Sequence, residues 1–244
     1  MPNFNDVVSQ FRIEGTVESV SPIGNGLINE TLRVKTVDAN TPDYILQRIN
    51  NAIFTDVDLL QHNIELVTDH IRHKLMEKGE TDIERKCLRF VQAKDGKTYY
   101  KDADNLYWRV SVFIPNAVTK EEVNPESAFC CGETFGNFQN MLVDLKEPLG
   151  ETIPDFHNME LRLRQLREAV SADKAGRVAS VKDMIAELES YADEMCLAER
   201  LYREGALPKR ICHCDTKVNN MMFDKDGKVL CVIDLDTVMP SFIF

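Results

Sequence analysis

The chain has 244 residues, of which 43% are apolar and 28% charged. That is enough apolar matter to close a core and too much for a disordered tail. Its 29 basic against 40 acidic residues leave a net charge of −11, which argues against general binding to nucleic acid or an anionic membrane but leaves room for a local basic pocket.

The start lacks a basic-then-apolar leader and no long uninterrupted apolar run follows, so a cytoplasmic location is expected. Seven cysteines (Cys87, Cys130, Cys131, Cys196, Cys212, Cys214 and Cys231) form no Cys-x-x-Cys pair and read as reduced, mostly buried apolar residues.

In chain order, strands are expected over residues 15–20, 27–36 and 44–49, broken by Pro22, Gly24-Asn25-Gly26 and Asn40-Thr41-Pro42. A helix follows over 56–78, opened by Thr55-x-x-Asp58 and carrying Leu59, Leu60, Ile64, Val67, Ile71 and Leu75 at helical spacing. Strands return over 88–93, 98–101 and 108–114, stopping at Pro115. Beyond it the pattern turns helical over 126–145, 159–172 and 181–204, the last behind Ser180-x-x-Asp183. This switch near Asn116 divides the chain into an α+β amino-terminal part, 1–115, and a mainly helical part, 116–244. After Pro208 come a loop over 211–223, a turn at Asp224-Lys225-Asp226-Gly227 and a strand over 228–236.

That last segment carries the chemistry. His213-Cys214-Asp215-Thr216-Lys217-Val218-Asn219-Asn220 has the spacing of a kinase catalytic loop, with His two residues before an Asp and Asn five after it. Asp234 then closes the apolar run Val232-Ile233. Phosphoryl transfer needs a carboxylate to orient and deprotonate the attacking hydroxyl, plus an amide oxygen and a second carboxylate to hold Mg²⁺. Asp215, Asn220 and Asp234 supply these in order. Lys217 stands where its ammonium would neutralise charge on the moving group.

The segment from Ile211 to Pro240 resembles the aminoglycoside phosphotransferase and choline kinase superfamily, a branch of the protein-kinase-like fold. Within it, Ile233-Asp234-Leu235-Asp236-Thr237-Val238-Met239-Pro240 is similar to N-acetylhexosamine 1-kinase-like proteins, as are Tyr44-Ile45-Leu46-Gln47-Arg48-Ile49-Asn50, Trp108-Arg109 and Glu151-Thr152-Ile153-Pro154-Asp155-Phe156-His157. The resemblance implies a two-lobed kinase-like fold, with 1–115 as nucleotide lobe and 116–244 as an incomplete catalytic lobe. It implies ATP and Mg²⁺, and as acceptor the anomeric hydroxyl of an N-acetylhexosamine. Alternatives are choline, homoserine or an aminoglycoside as acceptor, or a nucleotide-binding protein without turnover.

By the same resemblance His213, Asp215 and Lys217 are catalytic, and Asn220 and Asp234 are metal ligands. Asp236 is a second-shell or acceptor contact. Gly24, Asn25 and Gly26 form the phosphate loop, Arg48 (or Gln47, one residue away) is the phosphate-contacting cation, and Glu65 is its helix partner. The backbone around Phe113 reads the adenine edge, and Asp155-Phe156-His157 borders the acceptor pocket.

Cys212-x-Cys214 beside His213 is not read as a metal site, because three adjacent residues cannot surround a tetrahedral ion. His62, His70 and His73 read as solvated or capping residues. Relatives of this kind continue with further helices beyond the Asp-x-Asp strand and carry Gly where Ser241 stands. An incomplete helical lobe and self-association through its exposed apolar surface are therefore expected.

Overall fold

The computed structural model describes residues 3–24 and 28–243. Six antiparallel strands form the main sheet: β1 (Val17–Pro22), β2 (Glu30–Thr36), β3 (Tyr44–Ile49), β4 (Phe90–Val91), β5 (Tyr100–Lys101) and β6 (Tyr107–Val112). Their spatial order is β1-β2-β3-β6-β4, with β5 also on β6. The two-residue period of a strand sorts their side chains. Leu32, Val34, Leu46, Trp108 and Val110 face a core closed by Val7 and Val8 of α1 (Phe4–Val8). That helix was not expected: its five residues, capped by Asn3, are too few to show a helical period.

Ile49 and Tyr107 face the other side, toward α2 (Val57–Glu77). Leu60, Ile64, Val67 and Ile71 are buried on α2 as its spacing requires. Its cap differs from expectation. Asp56, not Thr55, accepts the Leu59 N–H, and Asp58 instead accepts from Tyr99 Oη at 2.6 Å and from Lys97. The α2 core takes in Phe138, Leu142 and Leu149 from beyond Asn116 and, further on, Leu235 and Val238, so one apolar cluster joins the sheet side to the end of the chain.

After α3 (Ile83–Lys86) the helices are α4 (Pro125–Met141), α5 (Met159–Ala172, N-capped by Asn158), α6 (Lys182–Ser190), α7 (Ala192–Met195) and α8 (Leu197–Arg203). One helix expected over 181–204 is thus three. No Gly or Pro marks the breaks at Tyr191 and Cys196, and the Ser180 hydroxyl bonds back to Arg177 O instead of capping α6. Two small two-stranded sheets end the fold: β7 (Arg210–Cys212) pairs with β10 (Met239–Ser241), and the hairpin β8 (Met221–Phe223)–β9 (Val229–Val232) lies between them in sequence. Asp224 Oδ1 accepts the N–H groups of Asp226 and Lys228 to turn the second one.

Candidate active site

The loop between β7 and β8 and the turn between β9 and β10 are bonded to each other. Ile233 N donates to Asn220 O at 2.9 Å, and Thr237 Oγ1 donates to His213 O at 2.7 Å. His213 is fully buried against the edges of Phe135 and Phe138. Its Nε2 lies 2.9 Å from Ile233 O and its Nδ1 accepts the Asp215 N–H at 3.3 Å, which places the ring proton on Nε2. Burial lowers its pKa. With both ring nitrogens engaged by the backbone of Ile233 and Asp215, His213, expected to be catalytic, ties the loop to the turn before Asp234.

Asp215 Oδ2 accepts from Asn220 Nδ2 at 2.9 Å and from Lys217 Nζ at 2.7 Å. Its Oδ1 has no protein donor among the described residues. Asn220 Nδ2 also donates to Asp215 O, which commits the amide nitrogen and leaves its side-chain oxygen without a hydrogen-bond partner among the described residues. Asp234 occupies a left-handed conformation, φ 59° and ψ 59°. Among the described residues no group donates a hydrogen bond to its carboxylate. Desolvation, with Asp236 and Asp215 nearby, pushes its pKa up to about 6. The Asp234 side chain is still exposed to solvent. A carboxylate without a donor, on a turn bonded to Asn220 and near the Asp215 carboxylate, belongs to a hard-oxygen set that fits a divalent cation.

Arg48 does not reach this centre. It shares a face of β3 with Leu46 and pairs across the strands with Trp108, while its guanidinium binds Glu30 at 3.0 Å on the half-exposed surface. The one-residue alternative, Gln47, faces the α2 side and accepts from Arg109 Nε at 3.0 Å. Period-two alternation decides between them. Glu65 accordingly has no Arg48 partner; the α2 residue that reaches the cluster around Arg109 is Gln61. Gly24 precedes β2 with φ +72°, and Asn25 and Gly26 lie outside the described residues.

Phe113 lies where β6 ends. Its N–H is taken by Asp43 O at 2.9 Å, and the Arg33 guanidinium stacks 4.2 Å above its ring. Two residues further on, Arg85 holds Pro115 O at 3.2 Å and Asn116 O at 3.1 Å.

Asp236, expected to contact acceptor or the site's outer layer, is 2% exposed with both oxygens engaged: Oδ1 by Arg109 and Oδ2 by Asn29 Nδ2 at 2.6 Å. It has no open side for an acceptor. Thr152 Oγ1 donates to Asp236 O, and buried Asn63 on α2 donates to both Gly150 O and Val238 O. Asn29 and Asn63 escaped the sequence reading because a lone Asn before a strand or inside a helix carries no pattern. His157, stacked on Phe156, comes close enough for the Asp215 charge to oppose the lowering of its pKa by burial.

An antiparallel sheet, a linker and a helical part whose loop carries Asp215, Asn220 and Asp234 make a protein-kinase-like fold. Solved structures share it. An aminoglycoside phosphotransferase from Alicyclobacillus acidocaldarius matches with TM-score 0.58 at 18% identity, over 99% of this chain and 67% of that one. The spectinomycin phosphotransferase APH(9)-Ia, in complex with ADP and spectinomycin, matches with TM-score 0.60 at 13% identity, over 98% and 70%. An amicoumacin kinase, hAmiN, in complex with AMP-PNP and Ca²⁺, matches with TM-score 0.56 at 14% identity, over 98% and 64%. The family model "Phosphotransferase enzyme family" matches residues 19–244. The chain belongs to that family, whose members transfer phosphoryl groups to small molecules.

Proposed function

We propose that the protein transfers the γ-phosphoryl group of ATP to a small hydroxylated acceptor, the anomeric hydroxyl of an N-acetylhexosamine. Residues 1–115 would carry the nucleotide, and residues 116–244 the catalytic groups. The observation that carries the reading is the convergence of Asp215, Asn220 and Asp234 on two bonded loops, with Asp215 Oδ1 and the Asp234 carboxylate free of protein donors among the described residues. ADP and AMP-PNP in the neighbouring structures support the nucleotide, and the Ca²⁺ in one of them supports a divalent cation.

In this reading Asp215 Oδ1 orients the acceptor hydroxyl and takes its proton, while Oδ2 is held still by Asn220 and Lys217. An anomeric hydroxyl is more acidic than an ordinary alcohol, so a well-placed carboxylate suffices. Lys217, half exposed, reaches from Asp215 toward the transferred group. The carbonyl oxygen of Asn220 and the carboxylate of Asp234 would hold Mg²⁺, which when bound would neutralise charge on the nucleotide phosphates. Gly24-Asn25-Gly26 remains the proposed phosphate loop, with the strand end at Phe113 beside the base. No helix among the described residues is long and apolar enough to cross a membrane, in keeping with a cytoplasmic reaction. Exposed Phe129, Met184 and Tyr191 on the helical half support self-association, which sedimentation checks.

The test is ADP release from Mg-ATP over N-acetylglucosamine, N-acetylgalactosamine, choline, homoserine and an aminoglycoside. Turnover confined to the amino sugars supports the reading, and turnover confined to another acceptor replaces it. Failure of the chain to bind nucleotide at all would sink it.

A further inference from the structure

Asp234 sits between two anchors of different origin. On its upstream side, Ile233 is bound through its N–H to Asn220 and through its carbonyl to His213, which fixes it to the catalytic loop. On its downstream side, Asp236 is bound through its carboxylate to Arg109 of β6 and to Asn29, just before β2. Those residues belong to the sheet, more than a hundred positions away in sequence. Arg109 is itself steadied by Gln47 and Gln61, and Asn29 by accepting the Asn50 N–H at 2.9 Å. The left-handed φ and ψ of Asp234 strain a residue that has a Cβ and persist only where the surroundings over-determine them.

Arg109 and Asp236 are each 2% exposed. A buried ion pair is a poor source of net stability, because desolvating both charges offsets most of their attraction. What it does supply is one geometry. Here that geometry ties the turn carrying Asp234 to the sheet. Upstream bonds set Asp234 against Asn220 and Asp215, and the downstream cluster sets all three against the strands.

We propose that the buried Arg109–Asp236–Asn29 cluster positions Asp234 for metal binding by registering the catalytic turn against the sheet. This rests on the phosphotransferase reading above. The three are positioning residues: none faces the open side of Asp215. Loosening the cluster weakens the metal and the metal-dependent part of nucleotide binding. It leaves the Asp215 loop and metal-free nucleotide binding in place.

The test titrates Mn²⁺ alone by electron paramagnetic resonance, and ATP with and without Mg²⁺ by fluorescence, on purified full-length chains with melting curves alongside. Asp236→Asn removes one charge at nearly constant shape, and Asn29→Ala removes one hydrogen bond. The double variant Arg109→Met/Asp236→Leu removes both charges, so it strands neither and still folds if the single variants do not. Thr68→Val, a buried hydroxyl bonded within α2, controls for lost stability. In the cluster variants Mn²⁺ affinity is expected to fall about 10–100-fold, as for partners that hold metal ligands in place, with ATP affinity unchanged without metal; Thr68→Val binds Mn²⁺ as wild type. Mn²⁺ binding at wild-type strength in folded cluster variants overturns the positioning role alone. Absence of both Mn²⁺ and nucleotide binding in the wild-type chain overturns the function reading with it.

Discussion

The turn at residues 233–238 and the helices α5, α6 and α8 lie in the same half of the chain and are held in opposite ways. Within six residues the turn receives bonds from His213, Asn220, Thr152, Asn63, Arg109 and Asn29, drawn from five separate stretches of sequence. The three helices bury none of their residues completely, and their cross-ties are exposed ion pairs such as Arg167–Glu189 and Arg203–Glu160. Buried hydrogen bonds are concentrated around the oxygens proposed to hold the metal, whereas the helices around them are tied by exposed pairs.

The sharpest way to test this contrast is Asp215→Asn. It leaves the anchoring bonds around Ile233 intact and removes the proposed proton acceptor, so turnover measured as ADP release should fall by about 10²–10⁴-fold with Tm and nucleotide binding near wild type. Turnover that survives would remove Asp215 from its role.

Asn63→Ala comes next. The buried amide gives two hydrogen bonds, to Gly150 O and Val238 O, and accepts one from Gly150 N. Stranding these backbone groups should cost about 2–4 kcal/mol in denaturant unfolding. A cost no larger than a surface change would mean that the turn is not held from α2.

Asp234→Asn should have the opposite sign. The folded pKa of about 6 exceeds the ordinary value of 3.8, so between them the folded chain holds a proton that the unfolded chain has lost. Wild-type stability from this group therefore falls as pH rises from about 4 to 6, and the whole loss is present above 6. Without metal, the variant should be at least as stable as wild type at pH 7, by a margin that solvent around this exposed residue keeps small, with any gap closing toward pH 4. Its turnover should be lost. A stability gap that does not change with pH would contradict the desolvation argument.

At the far end of the scale, Arg203→Ala and Arg167→Ala should leave Tm unresolved from wild type, because exposed pairs are screened by water and salt. A clear drop would show that the outer helices are tied more tightly than their exposure indicates.

Much of this was legible in the sequence. Period-two runs marked β2, β3 and β6, period-3.6 spacing marked α2 and α5, and the His-x-Asp-x₄-Asn spacing followed by Asp234 marked the centre, because each is a local pattern. Fold class and family were within reach for the same reason. The helix α1 was too short to show a period, and nothing in 181–204 signals its breaks.

The sequence by itself determined most of the elements, the order of the acidic and amide groups, and the class of chemistry they suit, since these depend on neighbours a few residues apart. The tertiary structure decided which face of β3 meets the site, and so turned Arg48 away toward Glu30. It buried His213 against the backbone of Ile233 and drew Asp236 into a pair with Arg109, 127 positions distant. Those outcomes depend on packing between remote segments, and burial then fixes what each charged or polar group must bind.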